Sequence, residues 1–150
     1  MQRRNFLGLG VAAVTAVLAP SALSAIDYRK TKPNTWTAHN VKDAMTALYG
    51  TTVTIEKGVK INVPEVAANG GAIPVNIQSD IDAVSVALFQ DANPEAAVAV
   101  WTLNDKSIIN FDLKIKMKAS GSMTAVVEGK DGKLYSVTQS LEVALGGCEG

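Results

Sequence analysis

Phe111-Asp112-Leu113-Lys114-Ile115-Lys116-Met117-Lys118 is the stretch that decides the fold. Phe111, Leu113, Ile115 and Met117 alternate with Asp112, Lys114, Lys116 and Lys118. A period of two puts the apolar set on one face of a strand and the charged set on the other. That pattern predicts an antiparallel strand with one wet face, because strands of parallel sheets are buried on both sides. The lysine face either attracts an anion or acidic partner or simply solubilises the sheet.

The same period recurs outward from it. Toward the N-terminus, Val53 and Ile55, then Val59, Ile61 and Val63, then Ile73, Val75 and Ile77, then Val84, Val86 and Leu88, and the run Ala97 to Leu103 all read as strands. Their separators are Glu56-Lys57-Gly58, Pro64, Asn69-Gly70-Gly71, Asp91-Ala92-Asn93-Pro94 and Asn104-Asp105-Lys106. The Asn69-Gly70-Gly71 turn is expected to need positive backbone angles. Toward the C-terminus, Ser120-Gly121-Ser122 leads into Met123, Ala125 and Val127. Asp131-Gly132 makes a hairpin turn, and a last strand runs from Leu134 to Leu145. Seven or eight short strands without long helical crossovers predict an all-β fold, an immunoglobulin-like antiparallel β-sandwich rather than a barrel. Before them, Val41, Ala44, Met45 and Leu48 recur at helical spacing between a capping Asn40 and a terminating Gly50, which predicts a short N-terminal helix docked on the sandwich. Trp36 reads as a packing anchor and the lone His39 as a surface residue.

The chain has 150 residues, enough for one domain. Residues 1–25 have the layout of a twin-arginine signal peptide: Arg3-Arg4-Asn5-Phe6-Leu7, an apolar run from Phe6 to Leu18 that is too short for a bilayer span, and small residues to Ala25. Residues 26–50 form an N-terminal extension and helix, 51–145 the sandwich, and 146–150 a cysteine-bearing arm. Without Arg3 and Arg4 the mature protein carries a net charge of about −2, a balance with no general attraction to nucleic acid or anionic membrane. Several constellations are missing: CxxC, CxxCH, a phosphate-binding glycine loop, a histidine set for zinc and the two histidines of a blue-copper site. Asp80 and Asp82 fall short of a calcium shell.

One cysteine stands in the whole sequence, in Gly146-Gly147-Cys148-Glu149-Gly150. It cannot form an internal disulfide, and the residues around it offer nothing to pack against. A lone thiol in an exported chain reads as reactive or intermolecular. Gly146 and Gly147 supply reach and narrowness, suited to a flexible arm that enters a partner's cleft. No His or Lys lies beside Cys148 to raise its thiolate fraction, and Glu149 and the terminal carboxylate act against it. Activation must therefore come from elsewhere, which favours a carrier over a free-standing thiol enzyme. The competing reading is a non-catalytic sandwich module whose terminal cysteine forms an intermolecular disulfide.

The signal Arg3-Arg4-Asn5-Phe6-Leu7, the segment from Val63 to Val75, the run Ile115-Lys116-Met117 and the ending Leu145-Gly146-Gly147-Cys148-Glu149-Gly150 together resemble the SoxY family, the sulfur-carrying subunit of periplasmic thiosulfate oxidation. Family members usually end Gly-Gly-Cys-Gly-Gly, so Glu149 stands in place of a glycine. The resemblance implies a non-enzymatic carrier with substrate attached at Cys148 and with no cofactor or metal of its own. It implies a heterodimer with a small immunoglobulin-like SoxZ subunit. It also implies service to a c-type haem thiosulfate-conjugating enzyme, a manganese-dependent thiosulfohydrolase and, where present, a molybdenum-containing sulfane dehydrogenase.

Overall fold

The structure, a computed structural model, describes residues 26–144. Among them the chain forms a four-residue helix α1 (Tyr28–Thr31), a 3-10 turn (Pro33–Thr35), a helix α2 (Val41–Tyr49) and eight strands. These are β1 (Val59–Asn62), β2 (Val66–Ala67), β3 (Ile73–Ser79), β4 (Ala83–Gln90), β5 (Ala97–Thr102), β6 (Ile109–Ile115), β7 (Gly121–Gly129) and β8 (Leu134–Val143).

The strands pair into a three-stranded sheet, β1-β3-β6, and a five-stranded sheet, β2-β8-β7-β4-β5. Ile73, Val75 and Ile77 of β3 and Ile109 and Ile115 of β6 point inward and meet Val86, Leu88, Met123, Ala125, Val127 and Leu141 of the larger sheet. Trp101 and Phe111 close the β5/β6 side, their ring centroids 5.0 Å apart. The fold is thus the predicted all-β sandwich. One strand pair departs from antiparallel order: β2 runs parallel to β8, with Val66 opposite Glu142 and Ala67 opposite Val143.

The outer face of β1-β3-β6 is held by amides. Asn76 accepts from the side chains of Asn62 at 3.0 Å and Gln78 at 2.7 Å and donates to Asn110 and Asp112 at 2.8 and 2.9 Å. One residue of the central strand therefore satisfies both its hydrogens and its oxygen across all three strands.

The outer face of the larger sheet is covered by α2. Asn40 accepts the Asp43 amide at 2.8 Å, and its own side-chain amide donates to the Asp43 carboxylate at 2.7 Å, a reciprocal N-cap. At the other end Gly50 takes φ 76°, and its amide donates to the Thr46 carbonyl, the left-handed stop that glycine reaches without strain. Ala44, Met45 and Leu48 are buried against Ala87, Phe89, Val126 and Leu134. Burying Met45 and Leu48 contributes about 1.5–3 kcal/mol each, far more than a nine-residue helix gains alone. The helix explains why β4 is buried on both faces from Ser85 to Gln90 instead of alternating. Tyr49 anchors the end of α2 through its hydroxyl, 3.4 Å from that of Ser85, which in turn donates to Glu128 at 2.7 Å. Burial pushes the Tyr49 phenol well above its ordinary range.

Three expectations are corrected in detail. Val53–Ile55 is not a strand: Ile55 makes a single parallel bridge to Tyr135, and Val53 is 78% exposed. Asn69-Gly70-Gly71 turns without positive φ; the left-handed glycines among the described residues are Gly50, Gly58 and Gly132. The Asn69 side chain accepts the Gly71 amide at 2.8 Å and does the bending. The lysine row is not one strand face either, because β6 ends at Ile115 and Lys116 and Lys118 lie in the turn beyond it.

Candidate functional site

The residues singled out by sequence, Cys148 with Gly146, Gly147, Glu149 and Gly150, lie outside the described residues, as does the signal segment 1–25. What the structure describes is the strand that leads to them. β8 pairs with β7 from Leu134 to Leu141, and there β7 begins, at Gly121. Glu142, Val143 and Ala144 overhang their neighbour.

An overhanging strand normally loses its ladder to water, yet each of these three amides has a partner. The Glu142 amide donates to the Glu65 carbonyl at 2.8 Å and the Ala144 amide to the Ala67 carbonyl at 2.9 Å. On the flank that β7 no longer reaches, the Val143 amide donates to the Ser120 hydroxyl at 2.9 Å. Two backbone carbonyls on one side and one hydroxyl on the other thus hold the end of β8 and the residue after it, Ala144.

The turn that carries Ser120 is fixed from two further loops. Asn93 spans it, donating to the Lys116 carbonyl at 2.7 Å and accepting the Lys118 amide at 3.0 Å. Asp91 accepts the Ser122 amide at 2.7 Å. The Met117 amide donates to the Gly70 carbonyl at 2.9 Å, and the Met117 side chain is fully buried. A Cβ at Gly121 would run into the Asp91 carboxylate and crowd Ala92, so a side chain there would have to displace the carboxylate that holds the Ser122 amide. Gln90 holds the Asp91–Asn93 loop in turn, its side-chain oxygen accepting the Ala92 and Asn93 amides at 2.7 Å each.

Apart from Tyr49, the residues with shifted ionisation sit at the opposite end of the β7–β8 hairpin. Lys130 bridges Asp105 at 2.7 Å and Asp82 at 2.8 Å, so its ammonium is held above its ordinary range and the Asp105 carboxyl below. The Tyr135 hydroxyl donates to Asp131, lowering that carboxyl; the Lys133 amide adds to the effect. These are exposed surface pairs. His39 uses Nδ1 on the Pro94 carbonyl at 2.9 Å, and Trp36 donates to the Tyr28 carbonyl while the Arg29 guanidinium lies 4.3 Å over its ring. Among the described residues no three His, Cys, Asp or Glu side chains converge as metal ligands would. Lys114 lines an open groove with Asn62, Pro64, Pro74 and Asp112. No reading of the sequence singled out Ser120 as a site residue, nor β2 as a strand.

A three-stranded sheet packed face to face on a five-stranded one places the chain in the class of small all-β sandwich proteins. Within that class, a family model described as "Sulfur oxidation protein SoxY" matches residues 45–148, a span that ends on Cys148. The chain belongs to the SoxY family. Its structure is similar to that of the sulfur carrier protein SoxY from Chlorobium limicola f thiosulfatophilum, with a TM-score of 0.63 and 28% identity over 69% of this chain and 94% of that one. A superoxide reductase (neelaredoxin) from Ignicoccus hospitalis is similar at a TM-score of 0.52 and 14% identity, over 59% of this chain and 81% of that one, a likeness of fold alone. No match is found among curated protein sequences.

Proposed function

We propose that this protein is a covalent carrier of sulfur intermediates in thiosulfate oxidation, with the Cys148 thiol as the point of attachment. The observation that carries the reading is the family match running to Cys148, the one cysteine of the chain. Cys148 stands four positions beyond Ala144, whose amide is held by the Ala67 carbonyl, so the two Cα atoms can lie no more than about 14 Å apart.

The chemistry balances as a carrier cycle. The Cys148 sulfur and the outer sulfur of thiosulfate form a disulfide bond; one proton is released, and two electrons pass to the haem groups of the conjugating enzyme. Water then cleaves the sulfur–sulfonate bond in a manganese-dependent hydrolase, releasing sulfate and protons and leaving a persulfide on Cys148. Where a molybdenum-containing sulfane dehydrogenase is present, that outer sulfur is oxidised to the sulfonate level with oxygen from water, and a second hydrolysis regenerates the thiol. Each redox step uses a partner's cofactor; this chain contributes the thiol.

In this reading Arg3 and Arg4 direct twin-arginine export to the periplasm, where the carrier works as a heterodimer with a small SoxZ-like subunit. Reconstituted thiosulfate oxidation with Cys148→Ser tests the assignment. Loss of all turnover with partner binding intact is expected. Full turnover in that variant would instead leave a non-catalytic module whose cysteine serves an intermolecular disulfide.

A further inference from the structure

The turn from β2 into β3 contains the one asparagine that a glycine follows, Asn69-Gly70; every other asparagine precedes a residue with a side chain. The Asn69 side-chain oxygen accepts the Gly71 amide at 2.8 Å. That bond draws electrons from the carboxamide carbon and places a donor where negative charge would develop if the carbon were attacked. The nearest nucleophile along the chain is the Gly70 nitrogen. Gly70 is buried and its carbonyl accepts the Met117 amide at 2.9 Å, but among the described residues its own N–H has no acceptor. A buried donor left unpaired costs free energy, and bond formation at that nitrogen removes the donor. Gly70 brings no side chain to obstruct the approach. Asn69 is exposed, so water reaches it. We propose that Asn69 is a modification site, deamidated spontaneously in a reaction that the fold promotes and that takes water as its co-reactant. The site is independent of the carrier reading.

The Gly70 nitrogen bonds to the Asn69 side-chain carbonyl carbon. The bond from that carbon to its NH2 group breaks, and the NH2 leaves as ammonia with the Gly70 proton. A cyclic imide, the succinimide, remains. Water opens it at either ring carbonyl, giving aspartate or isoaspartate, with no change of oxidation state. Both products add a negative charge. Isoaspartate also routes the backbone through the former side chain, lengthening the link between β2 and β3 by a methylene. The Gly70 carbonyl then moves off the Met117 amide, one of the ties on the turn that carries Ser120. Asp131-Gly132 is the contrasting case. Its Gly132 amide is tied to the Gly129 carbonyl at 3.0 Å, and the Asp131 carboxylate accepts from the Lys133 amide and the Tyr135 hydroxyl, which hold it ionised. An ionised carboxylate is a poor electrophile, and a tied amide is a poor nucleophile.

Intact mass and peptide mapping of the protein held at mildly alkaline pH, folded in buffer and unfolded in guanidinium chloride, test this. Loss of one ammonia followed by gain of one water is expected at Asn69, with isoaspartate detected by enzymatic methylation. The rate in the folded protein is expected to equal or exceed that in guanidinium. Asn69→Ser, whose hydroxyl can still accept the Gly71 amide, abolishes the mass change. In the separated isoaspartate form the Met117 amide exchanges with solvent several-fold faster than in the unmodified protein. A folded rate below the unfolded one overturns promotion by the fold. Deamidation that appears first at another asparagine, or that persists in Asn69→Ser, overturns the site. Isomerisation at Asp131 as fast as reaction at Asn69 overturns the argument from the free Gly70 amide. Unchanged exchange at Met117 in the isoaspartate form overturns the effect on the turn.

Discussion

The Ala144 amide donates to the Ala67 carbonyl at 2.9 Å, joining the end of the last long strand to a strand of two residues. That bond makes β2 meaningful. By itself it is too short to stand as an element, but it pairs with β8 on the side away from β7. Its burial alternates accordingly: Val66 is exposed and Ala67 is buried at the edge of the core.

The two residues of β2 should therefore respond oppositely to enlargement. Ala67→Leu forces a larger side chain into packed space and is expected to cost about 1–3 kcal/mol. Val66→Lys, pointing to water, should stay within about 0.5 kcal/mol of wild type. Urea denaturation followed by far-ultraviolet circular dichroism measures both; equal costs would contradict the assigned faces.

The docked helix gives a second prediction. Phe89 is fully buried between α2 and the sheet, so Phe89→Ala should lose about 3–5 kcal/mol. Asn40→Ala, which removes only the cap on the Asp43 amide, should lose about 1 kcal/mol. Both are read from denaturant midpoints, and a larger loss at Asn40 than at Phe89 would contradict the account of how the helix is held.

Stability should fall on the acid side through Asp131 and Asp105. Both carboxyls are held below their ordinary value in the folded state, Asp131 chiefly by the Tyr135 hydroxyl and Asp105 by Lys130. A lowered folded value means the contribution is present above the unfolded carboxylate pKa of about 3.9 and is lost as pH falls through the folded value. The raised Lys130 contributes in the other direction, present below its unfolded pKa of about 10.4 and lost only in stronger base. Asp131→Asn should flatten part of the acid limb of a stability-versus-pH curve and leave neutral pH almost unchanged, since the pair is exposed. An acid limb identical to wild type would refute the assignment.

Much of this was legible from side-chain period. Phe111 to Ile115 gave a wet-faced strand, Asn40 and Gly50 bracketed α2, and Asp131-Gly132 formed the β7–β8 turn with Gly132 at φ 78°. Where period misled, a long-range contact had replaced it. Val53 and Ile55 alternate, but only Ile55 finds a strand partner, through one bridge to Tyr135. β4 stops alternating because α2 covers its second face. β2 has no period to read in two residues, and Ser120 matters through one hydroxyl meeting an amide 23 positions away, which no local pattern encodes. Cys148, singled out because it stands alone in the sequence, lies outside the described residues.

Glu149 bears on substrate delivery. It adds a negative charge beside a thiol proposed to receive an anionic sulfur compound, and like charges repel even when screened. We expect the native partner enzymes to accommodate it, so Glu149→Gly should leave steady-state thiosulfate oxidation close to the wild-type rate. A many-fold increase in that variant would show that the glutamate obstructs delivery.

The carrier claim is tested most directly by intact-mass analysis of the mature protein after exposure to thiosulfate and the full set of partner enzymes. The account predicts thiol-reversible additions, a thiosulfate-derived group and single sulfur atoms, located by fragmentation at Cys148. A uniformly unmodified thiol under turnover conditions would contradict it.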